Sequence, residues 1–443
     1  MEDTICAIAT SLGVGAISII RLSGKDAIEK VNSIFSRDLT NVNSHSVTYG
    51  HIVYKNEIID EVLVTVMRAP KTYTTEDIVE INSHGGYVTS NKILEILLEI
   101  GCKLAEPGEF TKRAFLNGRI NLIQSEAVNE LIKAKTDSKR KLCLNQIGGN
   151  VTKIIDDIRE DIVKLLANIE VNIDYPEYED NPIVTTNLLN ESLNHINKKI
   201  ETLKTNANFG KIICDGINVA IIGKPNVGKS SILNNFLDEE KAIVTDIAGT
   251  TRDVVEGKVS LDGILLNMID TAGIRETDNI VESLGVEKAK ELIHQADLVL
   301  LVIDGSQKLD SQDQQLLELT KDINRIIIIN KVDLGKKVEL DGVEISAKEH
   351  DIMTLTKEIK RKFDLGQISD QNNEILTNAR QTTLLEKAAK SLNLAIEAMK
   401  MNIPADLIVE DLYDSWSNLK EILGEQAKED LLDELFKRFC IGK

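Results

Sequence analysis

The segment GKPNVGKSS, residues 223–231, sets Gly223 and Gly228 on either side of four residues and follows them with Lys229, Ser230 and Ser231. It lies directly after the apolar run INVAII and opens the helical pattern KSSILNNFL. Glycines in that strand-to-helix setting let backbone N–H groups curl around phosphate oxygens, while a lysine reaches the outer phosphates and the next hydroxyl ligates Mg2+. Asn226, Val227, Gly228, Lys229, Ser230 and Ser231 are therefore the expected cradle, with Lys229 as its working cation and Ser230 as a metal ligand.

Further segments follow in the order such chemistry needs. TDIAGTTRD carries Thr245, Asp246, Ile247, Ala248, Gly249, Thr250 and Thr251, a loop able to close over a γ-phosphate, with Thr251 the expected second protein ligand of Mg2+. ILLNMIDTAG ends a strand on Asp270, a Walker-B-type carboxylate, then Thr271, Ala272 and Gly273, whose backbone N–H can sense the γ-phosphate. RIIIINKVD and EISAK place Asn330, Lys331 and Asp333, then Ser346, Ala347 and Lys348, after later strands. Asp333 selects the base: a carboxylate accepts from both the N1–H and the 2-amino group of guanine, and adenine has no such donor pair. GTP and GDP are the expected nucleotides. Ile274 follows Gly273 and cannot orient a water, which leaves Glu276, Asp278 and Glu282 as candidate water-positioning acids.

The bulk composition bounds what surrounds this core. A chain of 443 residues has room for two to four domains. With 42% hydrophobic and 28% charged residues, and no apolar run of about 18 residues, it is expected to be globular and to have no membrane span. No secretion signal is read at MEDTICAIATSLG, and Cys6, Cys102, Cys143, Cys214 and Cys440 lack CxxC spacing, so the expected compartment is a reducing cytoplasm. The net charge of −19 opposes a broad nucleic-acid surface. KAKTDSKRK is the best local basic patch, and a solvated helix face is its favoured reading.

The expected fold class is multidomain, α/β plus all-α. Residues 1–118 alternate strand-like and helical runs and read as an α+β unit. Residues 119–210 turn helical, 211–368 alternate strand and helix as a parallel sheet covered on both faces would, and 369–443 return to helix. The simplest organisation is a discontinuous helical domain, 119–210 with 369–443, holding an inserted α/β domain.

GKPNVGKSS, TDIAGTTRD, DTAGIR and NKVD resemble the TrmE-Era group of translation-associated, Ras-like P-loop GTPases. EPGEFTKRAFLNGRINLIQSEAV and FCIGK narrow the resemblance to the MnmE (TrmE) family of tRNA-modification GTPases, over nearly the whole chain. The resemblance implies a cytoplasmic homodimer, paired through its N-terminal domains, that works with the FAD-dependent protein MnmG. Their shared substrate would be the wobble uridine of tRNA, modified at C5 with a one-carbon unit from a tetrahydrofolate derivative (5-formyl- or 5,10-methylene-tetrahydrofolate). A rival reading is a GTPase switch in ribosome assembly.

Residue by residue, the resemblance puts the folate on the N-terminal domain at Arg21, Glu80, Arg119 and Lys443. Position 119 is commonly lysine in the family, so its arginine keeps the charge and alters the geometry. It implies K+ held by Asn226, Thr245, Ile247 and Thr250, and it selects Glu282 as the water-positioning acid. Cys440, in FCIGK, is a candidate thiolate, although its neighbours Phe439 and Ile441 suggest a packed helix end and an inert thiol. His84 reads as a turn residue beside Gly85 and Gly86, and Trp416 as core packing.

Overall fold

The computed structural model describes residues 3–11, 13–174, 186–238, 257–261, 263–269, 284–350, 352–363, 375–401, 403–427 and 429–442. Two compact units divide the chain: Met1–Ile132, Ile147–Thr152 and Glu410–Lys443 form one, and Lys133–Gln146 and Lys153–Val409 form the other.

The first unit is built on a six-stranded sheet of β1 (Ile5–Ile8), β2 (Ile17–Ser23), β3 (Ser46–Tyr54), β4 (Glu57–Met67), β5 (Ile78–His84) and β6 (Lys103–Leu104), in the order β3-β4-β5-β2-β1-β6. Alternation along the strands gives the sheet two unlike faces. Ile20, Leu22, Val64, Val79 and Ile81 pack against Ile28 and Val31 of α1 (Ala27–Asn32) and Ile93 and Leu97 of α2 (Tyr87–Glu99). The opposite face carries Ile5 and Ala7, covered by Phe110 of α3 (Glu109–Leu116), and beyond them the charged register pair Arg21 and Glu80. Farther along it, Val47, Tyr49 and Leu63 are exposed.

The chain continues through α4 (Leu122–Ile132), α5 (Asp137–Ile147), α6 (Asn150–Asp174) and α7 (Thr186–Asp215). Then comes a second sheet with alternating helices: β7 (Ile217–Ile222), α8 (Lys229–Asp238), β8 (Gly257–Leu261), β9 (Ile264–Met268), α9 (Leu284–Gln295), β10 (Leu298–Asp304), α10 (Ser311–Leu319), β11 (Arg325–Asn330), β12 (Val343–Glu344) and α11 (Met353–Lys362). Its order is β12-β11-β10-β7-β9-β8. Every residue of β10 is buried, as a central strand covered on both faces requires. The sheet is not wholly parallel as expected, because β8 runs antiparallel to β9. The connection from Leu261 to Ile264 is too short for a helical crossover, and Gly263 takes φ +83 within it.

Three helices close the chain: α12 (Ala379–Lys400), α13 (Val409–Leu423) and α14 (Glu429–Phe436). In the first unit Phe436 and Phe439 pack with Leu122 and Phe115. Trp416, expected in a core, is half-buried on α13 between the Tyr413 ring and the Lys420 ammonium. In the second unit Gly210 of α7 lies against residues 375 and 376, where an added Cβ would meet Leu376 O at 2.1 Å and Ile375 Cγ2 at 2.4 Å.

Gly210→Ala sets helix propensity against that contact. Alanine is favoured over glycine in a helix by about 1 kcal/mol, but displacing a backbone carbonyl in a packed contact costs about 1–3 kcal/mol. We expect G210A to melt earlier than the wild type when followed by circular dichroism, and an equal or higher midpoint would show that the helix term wins.

Candidate functional site

The GKPNVGKSS loop connects β7 to α8, and its glycines answer to close neighbours. A Cβ on Gly223 would meet Val302 O of β10 at 2.4 Å, and one on Gly228, at φ +102, would meet Asn330 Nδ2 at 2.1 Å. Asn226 takes φ +60, a left-handed conformation that asparagine tolerates. Lys229 Nζ donates to the carbonyls of Gly223 at 2.8 Å and Lys224 at 2.6 Å, and burial pulls its pKa down. Val227 is buried, while Ser230 and Ser231 are exposed on the first turn of α8. This is a cradle of backbone around a desolvated cation, which fits a phosphate chain.

The segments expected to read the base converge on the same loop. Asn330, 2% exposed at the end of β11, donates from Nδ2 to Val227 O at 2.8 Å and accepts at Oδ1 from the Ala347 N–H at 3.0 Å. Asn235 of α8, which the sequence reading missed, holds Ala347 from its other side by donating to its carbonyl at 2.7 Å. Ser346 Oγ donates to Asp333 Oδ1 at 3.0 Å, and Asp333 is otherwise exposed, as is Lys348. Lys331, at φ +63, pairs with Asp304 Oδ2 at 2.7 Å. Burial acts to raise the Asp304 pKa, but Lys331 and Ser306 outweigh it and hold the carboxyl below its ordinary value. Thus residues 226–231, 330–333 and 346–348 are brought together. Thr245, Asp246, Ile247, Ala248, Gly249, Thr250, Thr251, Asp270, Thr271, Ala272, Gly273, Ile274, Glu282 and Lys443 lie outside the described residues.

In the first unit, Arg21 and Glu80, each expected at a folate, form an ion pair: Nε and Nη2 of Arg21 both reach Glu80 Oε1 at 2.8 Å. Arg21 Nη1 also donates to Gly442 O at 3.2 Å, so the FCIGK segment meets this pair one residue before Lys443. The guanidinium lies 5.8 Å from the Phe110 ring centroid, and Arg119 lies 4.5 Å from that of Tyr73, which packs against the same cluster. Phe110 and Tyr73 carried no sequence signal of their own. Beside them Arg113, 2% exposed, binds Glu76, Glu109 and the Asp3 carbonyl. The i,i+4 spacing of Glu109 and Arg113 was the one clue to it. Phe439 is buried as expected, but Cys440 is exposed, its carbonyl accepting from Gly108 N at 3.3 Å. The helix ends at Phe436, which frees the cysteine side chain from the packing its neighbours suggested.

The basic patch is partly spoken for: Arg140 and Lys141 pair with Asp137, and Lys139 donates to Cys214 O. Among the described residues there is no cluster of metal-binding side chains, and no helix long and apolar enough to cross a membrane.

The family described as MnmE helical domain matches residues 122–440, and that described as GTP-binding protein TrmE N-terminus matches residues 4–119. The chain is 49% identical to a tRNA modification GTPase MnmE of Lactococcus lactis subsp. cremoris, across 100% of this chain and 98% of that one. It is 50% identical to a protein of the same name from Bacillus cytotoxicus, over 100% and 99% of the two chains. A third, from Streptococcus thermophilus, is 49% identical over 100% and 98%.

His84 ends β5 on the Arg21–Glu80 face and is more than a turn residue. Asp60 accepts from the His84 N–H at 2.8 Å and faces its Nδ1 at 2.8 Å, which raises the imidazole pKa above 6.5, with Glu61 adding to the effect. A raised folded-state value means that the pair's stabilisation is complete below about pH 6.5 and is lost as pH rises through the shifted value. An NMR titration should place His84 above the ordinary histidine value and Asp60→Asn should bring it back; a wild-type value at or below 6.5 would contradict the pairing.

Proposed function

The chain belongs to the MnmE family of tRNA modification GTPases, and from that membership we infer that it binds GTP and GDP, hydrolyses GTP and acts in the modification of tRNA. The observation that carries the reading is the convergence of the phosphate loop and the base-reading loops on the Asn330 side chain. Ribosome assembly is not favoured as the role, because the matched relatives are named for tRNA modification along their full length.

In this reading the backbone N–H groups of residues 226–231 hold the phosphates. Lys229 gives up the carbonyls of Gly223 and Lys224 for phosphate oxygens, a charge-assisted exchange that also relieves its desolvation. Asp333, with Asn330, Lys331, Ser346, Ala347 and Lys348 around it, accepts from the guanine edge. Ser230 and Thr251 would hold Mg2+, and Asn226, Thr245, Ile247 and Thr250 would hold K+; when bound, these cations neutralise charge developing on the phosphoryl oxygens. Asp270 to Gly273 sense the outer phosphate, and Glu282 takes the water-positioning role that Ile274 cannot fill.

The second part of the proposal concerns the N-terminal face. A tetrahydrofolate derivative would bind there, Glu80 accepting from the pterin edge, Arg21, Arg119 and Lys443 meeting its carboxylates, and the half-buried Tyr73 supplying an aromatic wall. Arg21 reaching Gly442 O supports this grouping. Cys440, exposed beside it, is available for chemistry on the substrate. The uncovered sheet surface with Val47, Tyr49 and Leu63 suits pairing of two copies, with MnmG as the flavin-bearing partner, tRNA as the shared substrate and the cytoplasm as the compartment. We assign residues 1–118 to folate binding and pairing, 211–368 to GTP, and 119–210 with 369–443 to the helical domain.

One hydrolysis assay on the full chain tests the nucleotide reading. KCl should support faster turnover than NaCl at equal ionic strength, and equal rates would remove K+ from the proposal. Asp333→Asn should lose guanine recognition by about 10²-fold or more and gain xanthine nucleotides, since an amide offers the donor that the 2-oxo group needs; retained preference for GTP would move the base-reading role away from Asp333.

A further inference from the structure

Lys224, the residue after the first glycine of the phosphate loop, has no role in the reading above beyond its carbonyl, yet its side chain is held more firmly than any loop residue needs by chance. Its Nζ lies 2.7 Å from Asp310 Oδ2 and 2.7 Å from Asp313 Oδ2. Those two residues are the capping box of α10. Asp310 Oδ1 accepts from the Gln312 and Asp313 N–H groups at 3.0 Å each, and Asp313 Oδ2 accepts from the Asp310 N–H at 3.2 Å. One ammonium therefore bridges both carboxylates that start a helix 86 residues downstream.

The bridge is costly to remove. Asp313 is 3% exposed, and its Oδ1 has no hydrogen-bond partner among the described residues. Without Lys224 a buried carboxylate faces a second one with only backbone donors to compensate, a worse state than the intact triad. Burial acts to lower the Lys224 pKa, but the hydrogen bonds and charges of Asp310 and Asp313 outweigh it and raise the value, so the cation stays charged. At the other end of the same residue, the Lys224 carbonyl receives Lys229 Nζ at 2.6 Å. Asn330 holds the far side of the loop at Val227 O. The loop is thus pinned at both shoulders, by Lys224 to α10 and by Asn330 to β11, with Asn226 at φ +60 between them.

We propose that Lys224 is a positioning residue for the nucleotide site, its side chain fastening the phosphate loop to the capping box of α10 so that the backbone cradle around Lys229 is formed before the nucleotide arrives. The proposal rests on the GTP-binding reading and deepens it. A preformed cradle contributes to binding of every guanine nucleotide and little to the chemical step, so its loss falls on affinity. If the unfastened loop is competent a tenth of the time, the apparent dissociation constant rises tenfold.

The test is steady-state hydrolysis and GDP dissociation measured on the full chain. Lys224→Met should raise the KM for GTP and speed GDP release by roughly tenfold, with kcat within about threefold of wild type. Lys224→Arg, which keeps a cation able to bridge both carboxylates, should restore affinity to within about threefold. Asp313→Asn should shift KM in the same direction by itself, and the double variant K224M/D313N should lose no more than K224M alone, because the two act through one contact. Wild-type KM and GDP release in K224M would overturn the proposal, as would losses that add in the double variant or a K224M chain that melts earlier without any change in KM. Should K224M fail to fold, K224R and D313N decide the matter on the same readouts. A wild-type chain that neither binds GDP nor hydrolyses GTP would sink the nucleotide reading itself, an outcome separable from wild-type binding with an indifferent Lys224.

Discussion

The nucleotide site depends on one buried carboxamide. Asn330 spends both halves of its side chain on backbone, the amide on Val227 and the oxygen on Ala347, at the ends of segments more than 100 residues apart in sequence. Among the described residues, its side chain is the one recorded as bonding both the phosphate loop and the turn at 346–348. A buried donor or acceptor left without its partner costs about 1–3 kcal/mol, so neither loop can drift without exposing the other to that penalty. Asn330 also dictates its neighbour: the space where a Gly228 side chain would begin is already filled by its Nδ2, which makes the second glycine of the loop a steric requirement as well as a conformational one. The fully buried β10 beside β7 and β11 gives these loop ends a fixed base.

The N-terminal site is governed by a different constraint, the two-faced sheet. Helices α1 and α2 cover one face with an ordinary aliphatic core. On the other face α3 covers Ile5 and Ala7 and sets Phe110 beside Arg21, yet the pair Arg21 and Glu80 remains about one-fifth exposed, neither solvated like a surface ion pair nor sealed like a core one. An ion pair in that position keeps much of its charge while being held in one geometry, which is what recognition of a polar ligand requires. The Phe110 and Tyr73 rings beside Arg21 and Arg119, and the FCIGK carbonyl, complete an arrangement drawn from separate stretches of chain.

Much of this was legible beforehand because its causes are local. The GKPNVGKSS loop sits between a strand and a helix where its spacing placed it, and AISIIRLSG, read as strand-like, is the strand that carries Arg21. What sequence could not convey is partnership at a distance. Lys224 and the α10 carboxylates, Asn235 and Ala347, and Tyr73 and Arg119 each become neighbours only through the tertiary fold, and none has a periodic pattern to announce it. The strand β8 was missed because KVS alternates polar with apolar residues over too short a span to stand out beside the continuous runs of β7, β10 and β11. Cys440 was misjudged for a related reason: a buried Phe439 says nothing about the next side chain once the helix has ended.

The bond from Arg21 to the Gly442 carbonyl joins residues 421 positions apart. During synthesis the six-stranded sheet emerges from the ribosome early, with its strands β1 to β6 complete after Leu104, while the carbonyl that Arg21 is to grasp has yet to be polymerised. At roughly 5–20 residues per second the stretch from Leu104 to Gly442 takes on the order of 20–70 s. The sheet is thus complete long before residue 442 is made, and Arg21 can take up this contact only once that distant segment has been added.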